Sequence, residues 1–357
     1  GAEVIKVEPP RGDDYRHVGP FVGNGSSAMF ESVNRGKLGI VLDLTREQDR
    51  AAAVALARQA DVAVENFRPG VADRLGIGWT ALSAVSQRLI YVSISGFGQK
   101  GPNAQRPAYD YIIQGLSGIM AVTGDPDGPP TLVGESIADM AAGMFASWAI
   151  LAALYERNRT GCGRYIDISM FDAMIALQLT SVVRWFASGE APTRVGNRHP
   201  LSAPFGAFRA RDREIMIAVL NAKQFELLLD VMGRRALLGD PRFASDSARL
   251  ENEAPLRREI EDWLAGYSAE EAVAKLVAAG VPAGPVADIA EALASEQAVA
   301  RQLLQRAELP EVGPFWLPEQ PAHFLGALRG ATGRAPQLGE HTAEVLARLA
   351  DRPLNNG

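Results

Sequence analysis

Short runs of β-branched and apolar residues, alternating with stretches patterned as helix, most restrict the folds open to this chain. Glu3–Glu8, Gly39–Leu44, Asp61–Asn66 and Leu89–Ser95 are brief runs rich in Val, Ile and Leu that read as strands. Between them Thr45 stands where a helix cap belongs, with Glu47 and Gln48 in the first turn and Val54, Ala55 and Leu56 behind them. After Pro69 and Gly70, Val71–Leu75 opens a helical turn. Strands joined through helices run parallel and need both faces covered, so the fold class expected is α/β.

From Met140 to Tyr155 runs a helix of Ala, Gly, Met and Leu, apolar on nearly every side, which predicts burial all round. It ends near Asn158. Gly161 and Gly163 bracket a turn before a strand at Tyr165–Ser169, and Asp172–Leu179 reads as a further helix. Beyond the Gly- and Pro-punctuated segment Gly189–Pro204 the character changes. A strand at Glu214–Val219 and amphipathic helices near Gln224–Met232, Leu256–Leu264 and Ala269–Ala279 predict a smaller α+β domain. Val281–Val286 closes it, and Ala290–Leu304 leads back toward the first. A chain of 357 residues exceeds the roughly 250–300 at which single cores stop growing. The organisation expected is a large domain over 1–190, a small one over 203–300, and a return segment over 301–357 that completes the large one.

One cysteine, Cys162, and four scattered histidines (His17, His199, His323, His341) give neither a disulfide framework nor metal-ligand spacing. The chain reads as cytoplasmic and metal-free. A formal charge of −6 argues against a nucleic-acid footprint, so any phosphate site must be small and local. No apolar run approaches the roughly 18 residues of a membrane span, and the first residues lack a signal-peptide layout, so no membrane partner is expected. The chain starts without Met, directly inside a β-like run, as though an upstream segment belongs before it. No Gly-x-Gly-x-x-Gly follows the first strand, which disfavours an NAD dehydrogenase.

Asp139 is the residue with the most chemical content. A lone carboxylate follows the apolar, Gly-containing stretch Thr131–Ala138 and opens a helix of small residues. Such a carboxylate can attack an activated acyl carbonyl once water is excluded. The same pattern fits a helix cap, because Asp satisfies the free N–H groups of a helix start.

Seven segments, taken in order, carry a resemblance. They are the start at Gly1–Glu8, Val64–Leu75, Ala108–Gln114, Thr123–Pro130, Asp139, Gly280–Pro285 and Leu338–Thr342. Together they resemble the family III CoA-transferases, a group that includes formyl-CoA transferase, carnitine CoA-transferase and α-methylacyl-CoA racemase. The resemblance implies a Rossmann-like large domain made from both ends of the chain, an inserted small domain, and an interlocked homodimer. It also implies that such a chain begins about one strand-helix unit earlier, with a loop that reaches the active site.

Residue by residue, Asp139 falls on the family's nucleophilic aspartate, which passes through a mixed anhydride and an aspartyl-CoA thioester. Backbone N–H groups near Gly134 and at the helix start are the implied oxyanion donors. The implied coenzyme A cradle comprises Leu42, Asp43, Leu44, Thr45, Asn66, Phe67, Arg68, Arg74, Pro107, Ala108, Tyr109, Asp110 and Met170. Arg74 suits a phosphate through its planar, permanently charged fork, although a surface ion pair with Asp73 fits it as well. Leu42 and Phe67 are core residues by default, and Met170 is equally at home in packing.

Racemases hold a histidine where this chain has Tyr109. A phenol with pKa near 10 is a poor base at neutral pH, so the swap favours acyl transfer onto a small carboxylate over racemisation. The glycine-rich gating loop of formyl-CoA transferase has no counterpart near Pro204–Gly206, which gives no support to formate or oxalate as substrate. Arg184 and Arg198 are candidate partners for an acceptor carboxylate. A truncated, non-catalytic CoA-binding protein is the alternative of another class.

Overall fold

The computed structural model describes residues 1–23, 25–309, 313–324, 326 and 333–351. Residues 310–312, 325, 327–332 and 352–357, within the expected return segment, lie outside the described residues. The chain forms two compact units, one of 1–113, 136–177 and 293–357, the other of 114–135 and 178–292.

The first unit is α/β. In chain order it contains β1 (Ile5–Glu8), α1 (Ala28–Asn34), β2 (Leu38–Val41), α2 (Glu47–Gln59), β3 (Val62–Glu65), α3 (Val71–Arg74), α4 (Trp79–Val85) and β4 (Ile90–Ser95). These are followed by α5 (Asp110–Ser117), whose last residues pass into the second unit, α6 (Ile137–Thr160), β5 (Arg164–Ser169) and α7 (Met170–Leu177). All strand pairs among these are parallel, as the alternation of strand and helix requires. Instead of one continuous sheet, these five strands form two: β1 beside β2, and β4 between β3 and β5.

β4 is the centre of its sheet and is covered on both sides. Ile90 and Val92 face Ala146, Ile150, Ala153 and Leu154 of α6, while Tyr91 packs with Ala57, Trp79 and Leu82 on the other face. Each fully buried apolar side chain of this kind contributes about 1.5–3 kcal/mol. Ile40 and Leu42 form a separate core with Val345 of the Thr342–Asp351 helix. The outer edge of β2 is paired by the Leu338–Thr342 motif. The Gly39 N–H donates to His341 Nδ1 at 3.1 Å, the His341 N–H to the Gly39 carbonyl at 2.9 Å, and the Val41 N–H to Thr342 Oγ1 at 3.0 Å. An otherwise open strand edge is closed in this way.

α6 departs from expectation in two respects. One face lies on the sheet, but Met140, Met144, Trp148, Leu151 and Tyr155, spaced three or four apart, are all exposed in the single chain. Burial is therefore one-sided. At 24 residues it is also long and apolar enough to cross a membrane by length and composition, contrary to the reading of the sequence. Interruption by Gly143, Ser147 and the terminal charges hid that from a scan for unbroken apolar runs. Its packing against β4 and β5 is that of a sheet-covering helix.

The second unit is α+β. Phe205–Arg209, Glu214–Ala218 and Ala283–Pro285 form an antiparallel sheet with Glu214–Ala218 central. Helices Ala222–Met232, Glu253–Leu264 and Ala269–Ala278 pack Leu228, Ile260 and Leu276 against Ile215 and Ile217. Ser268 and Glu271 close a reciprocal capping box at the start of the last helix.

Candidate active site

The residues expected to hold coenzyme A all lie beyond the carboxyl ends of parallel strands. Leu42–Thr45 follow β2, Asn66–Arg68 and Arg74 follow β3, Pro107–Asp110 end the loop after β4, and Met170 follows β5. Ligands of open α/β sheets bind at that end.

Local bonds explain why these loops take their course. Asn66 Nδ2 donates to the Ile94 carbonyl at 2.7 Å, tying the end of β3 to β4. Glu65 accepts the Phe67 N–H at 2.7 Å on one oxygen and the Ser93 hydroxyl on the other. Burial raises the Glu65 pKa in spite of those bonds. Gln105 Nε2 donates to the Pro69 carbonyl at 3.2 Å, joining the loop after β3 to the loop after β4.

Individual side chains then divide by exposure. Arg74 is exposed and makes no ion pair among the described residues, so the pairing with Asp73 is not formed. Asn66, Phe67, Arg68 and Pro107 are also exposed, and Ala108 is half-buried. Leu42 and Met170 are buried, Leu42 in the core with Ile40 and Val345. Leu44 packs beside that core. Thr45 is not a helix cap: α2 starts at Glu47, and Asp43 Oδ1 holds Thr45 in a turn through its N–H at 3.1 Å and its hydroxyl at 2.6 Å. Those bonds lower the Asp43 pKa.

Asp139 is the third residue of α6. Ser136 occupies the cap position without a side-chain bond, and neither it nor Asp139 acts as cap. The carboxylate of Asp110 does so instead, with Oδ1 accepting the Ala138 N–H at 2.6 Å and the Asp139 N–H at 3.2 Å. Asp110 is only 5% exposed and its carboxylate is turned to the start of α6. The Asp139 side chain is exposed and has no hydrogen-bond partner among the described residues. Although solvent reaches it, surrounding protein desolvates the carboxylate, and the Asp110 charge adds to that effect; both raise its pKa. Two of the helix-start N–H groups expected to face an oxyanion are therefore already engaged.

Tyr109 starts α5 through its carbonyl, which accepts from the Ile112 N–H at 3.0 Å and the Ile113 N–H at 3.2 Å, while its ring is 84% exposed. In the second unit, Gln114 is fully buried. It accepts the Val133 N–H at 3.0 Å and donates to the Glu135 carbonyl at 3.0 Å. Reading the sequence missed the bonding of both Asp110 and Gln114. The available signal was an acid and an amide at i and i+4 in a short helix, polar residues too costly to bury unpaired. Of the two arginines considered for an acceptor, Arg198 is paired with Glu253 at 3.0 Å. Arg184 makes no ion pair among the described residues.

The model of CoA-transferase family III matches residues 1–342. The chain belongs to this family. A relative from Acetobacter aceti, named acetyl-CoA:oxalate CoA-transferase, is 46% identical over 328 residues, spanning 91% of this chain and 83% of that protein. A succinyl-CoA:mesaconate CoA-transferase from Haloarcula hispanica is 37% identical over 97% of this chain and 89% of its own length. The solved structure of a CaiB/BaiF family protein from Brucella suis superposes with a TM-score of 0.84 at 39% identity, covering 98% of this chain and 92% of that one. Within this family III chain, two of the segments that carried the resemblance, Val64–Leu75 and Ala108–Gln114, supply bonds that shape the strand ends and the start of α6.

Proposed function

We propose that this transferase moves CoA from an acyl-CoA to a free carboxylic acid, with Asp139 as the covalent nucleophile. The observation that carries the reading is a carboxylate at the start of α6, held by its backbone and without a hydrogen-bond partner among the described residues, in a chain of CoA-transferase family III. An Asp139 oxygen attacks the thioester carbonyl, the C–S bond breaks, and a mixed anhydride forms with release of CoA thiolate. The thiolate attacks the Asp139 carbonyl, giving an aspartyl-CoA thioester and the donor's carboxylate. The acceptor carboxylate then attacks the Asp139 carbonyl of that thioester, breaking its C–S bond to expel CoA thiolate and form a second mixed anhydride. The thiolate attacks the acceptor carbonyl of this anhydride, giving the new acyl-CoA and freeing the Asp139 carboxylate. Each step exchanges one acyl bond for another, the advantage of covalent catalysis.

Coenzyme A is seated by the loops after β2, β3 and β4, with Arg74 on a phosphate. The acceptor is a small dicarboxylate, since relatives are named for oxalate, mesaconate and glutarate. Oxalate belongs among the acids to be tried, because the absent gating loop is a weaker guide than a 46% identical relative named for it. Tyr109 in place of a histidine speaks against racemisation. The exposed stripe of α6 supports a homodimer, and the resemblance supports an interlocked one. Incubation with acetyl-CoA or succinyl-CoA and a panel of mono- and dicarboxylic acids, read by mass detection of exchanged thioesters, tests the activity. Exchange with a dicarboxylate is expected. Stereochemical inversion of a 2-methylacyl-CoA without exchange would establish the racemase instead.

A further inference from the structure

We propose that Asp110 is a positioning residue for this transfer: its carboxylate fixes the backbone of Asp139 and keeps the helix-start N–H groups away from the Asp139 side chain. The inference rests on Asp139 being the nucleophile. An acid in the first turn of a helix is normally stabilised by the free N–H groups there and by the helix dipole, which lowers its basicity and reactivity. Here the N–H groups of Ala138 and Asp139 are both bound by Asp110 Oδ1, at 2.6 and 3.2 Å. The nucleophile is left without a hydrogen bond among the described residues, in the register set by a buried neighbour.

Charge adds a second effect. Asp110, from α5, is the charged group that acts on Asp139, and with desolvation it raises the Asp139 pKa. When Asp139 is acylated its negative charge is lost, and the repulsion between the two carboxylates is relieved. The pair is thus less favourable before acyl transfer than after it, the direction in which an interaction accelerates a step.

Asp110→Asn keeps an acceptor oxygen for the two N–H groups and removes the charge, whereas Asp110→Ala removes both. For Asp110→Ala, kcat is expected to fall on the order of a hundredfold, with KM for the acyl-CoA unchanged, because misplacement of a reacting group affects the chemical step. Asp110→Asn should recover much of that loss. The acid limb of its kcat/KM profile should move to lower pH, since removing a negative neighbour makes Asp139 easier to ionise. Asp110→Asn with an unmoved acid limb, or Asp110→Ala with wild-type kcat, overturns the inference. If Asp110→Ala does not fold, the Asp110→Asn profile decides alone. Asp139→Ala assayed in parallel separates the two readings. Exchange that survives in it overturns the nucleophile and this inference together, whereas an inactive Asp139→Ala beside unaltered Asp110 variants overturns only the positioning role.

Discussion

Gly96 and Ala108 lie so close that a Cβ placed on Gly96 would stand 2.6 Å from the Ala108 Cβ. Only a residue without a side chain lets the Pro107–Asp110 segment cross the end of β4 at this height. Gly96→Ala is expected to displace that segment, raise KM for the acyl-CoA several-fold, and lower kcat through Asp110. Steady-state kinetics with the donor varied checks this. Unchanged kinetics would mean the segment has room to move without consequence.

Arg74, exposed and without an ion pair among the described residues, is expected to meet a phosphate of the bound coenzyme. Arg74→Ala should weaken CoA much more than dephospho-CoA if the contact is to the 3′-phosphate, and both equally if it is to the diphosphate. Calorimetric titration with the two ligands distinguishes these. Equal affinities to wild type for both would remove Arg74 from the site.

Thr342→Val takes away the acceptor of the Val41 N–H, bonded at 3.0 Å, while keeping the side chain's shape. Leaving that donor unpaired should lower stability by about 1–3 kcal/mol. A shift of the urea midpoint at unchanged slope is the expected result, and an unshifted midpoint would show that water replaces the bond freely.

Much of this was legible because periodicity is local. The four amino-terminal strands and the helix on which Asp139 lies are visible in runs of β-branched residues and in the turn residues Gly161 and Gly163. The cap of α6 was not. Asp110 reaches Ala138 from 28 residues away, and no local pattern encodes a cap supplied from another helix. Thr45 failed as a cap because α2 starts at Glu47 with Arg46 in the cap position, while Thr45 stays one residue outside it in a turn where its hydroxyl donates to Asp43. The one-sided burial of α6 was hidden because apolar residues destined for a sheet and those left exposed look alike in sequence.

The exposed stripe from Met140 to Tyr155 should be covered by a second copy of the chain. Light scattering over a wide dilution series is expected to show a dimer throughout, with dissociation only on unfolding. A folded monomer in reversible equilibrium with dimer would contradict an interlocked arrangement.

The most direct test of the central claim is to look for the covalent intermediate. The protein is mixed with donor acyl-CoA alone, quenched in acid and digested, and the peptide that contains Asp139 is weighed. This peptide is expected to carry CoA through an acyl bond labile to hydroxylamine, Asp139→Asn is expected to carry none, and that variant is expected to have lost exchange. Undiminished exchange by Asp139→Asn, or an adduct lodged on another residue, would contradict it.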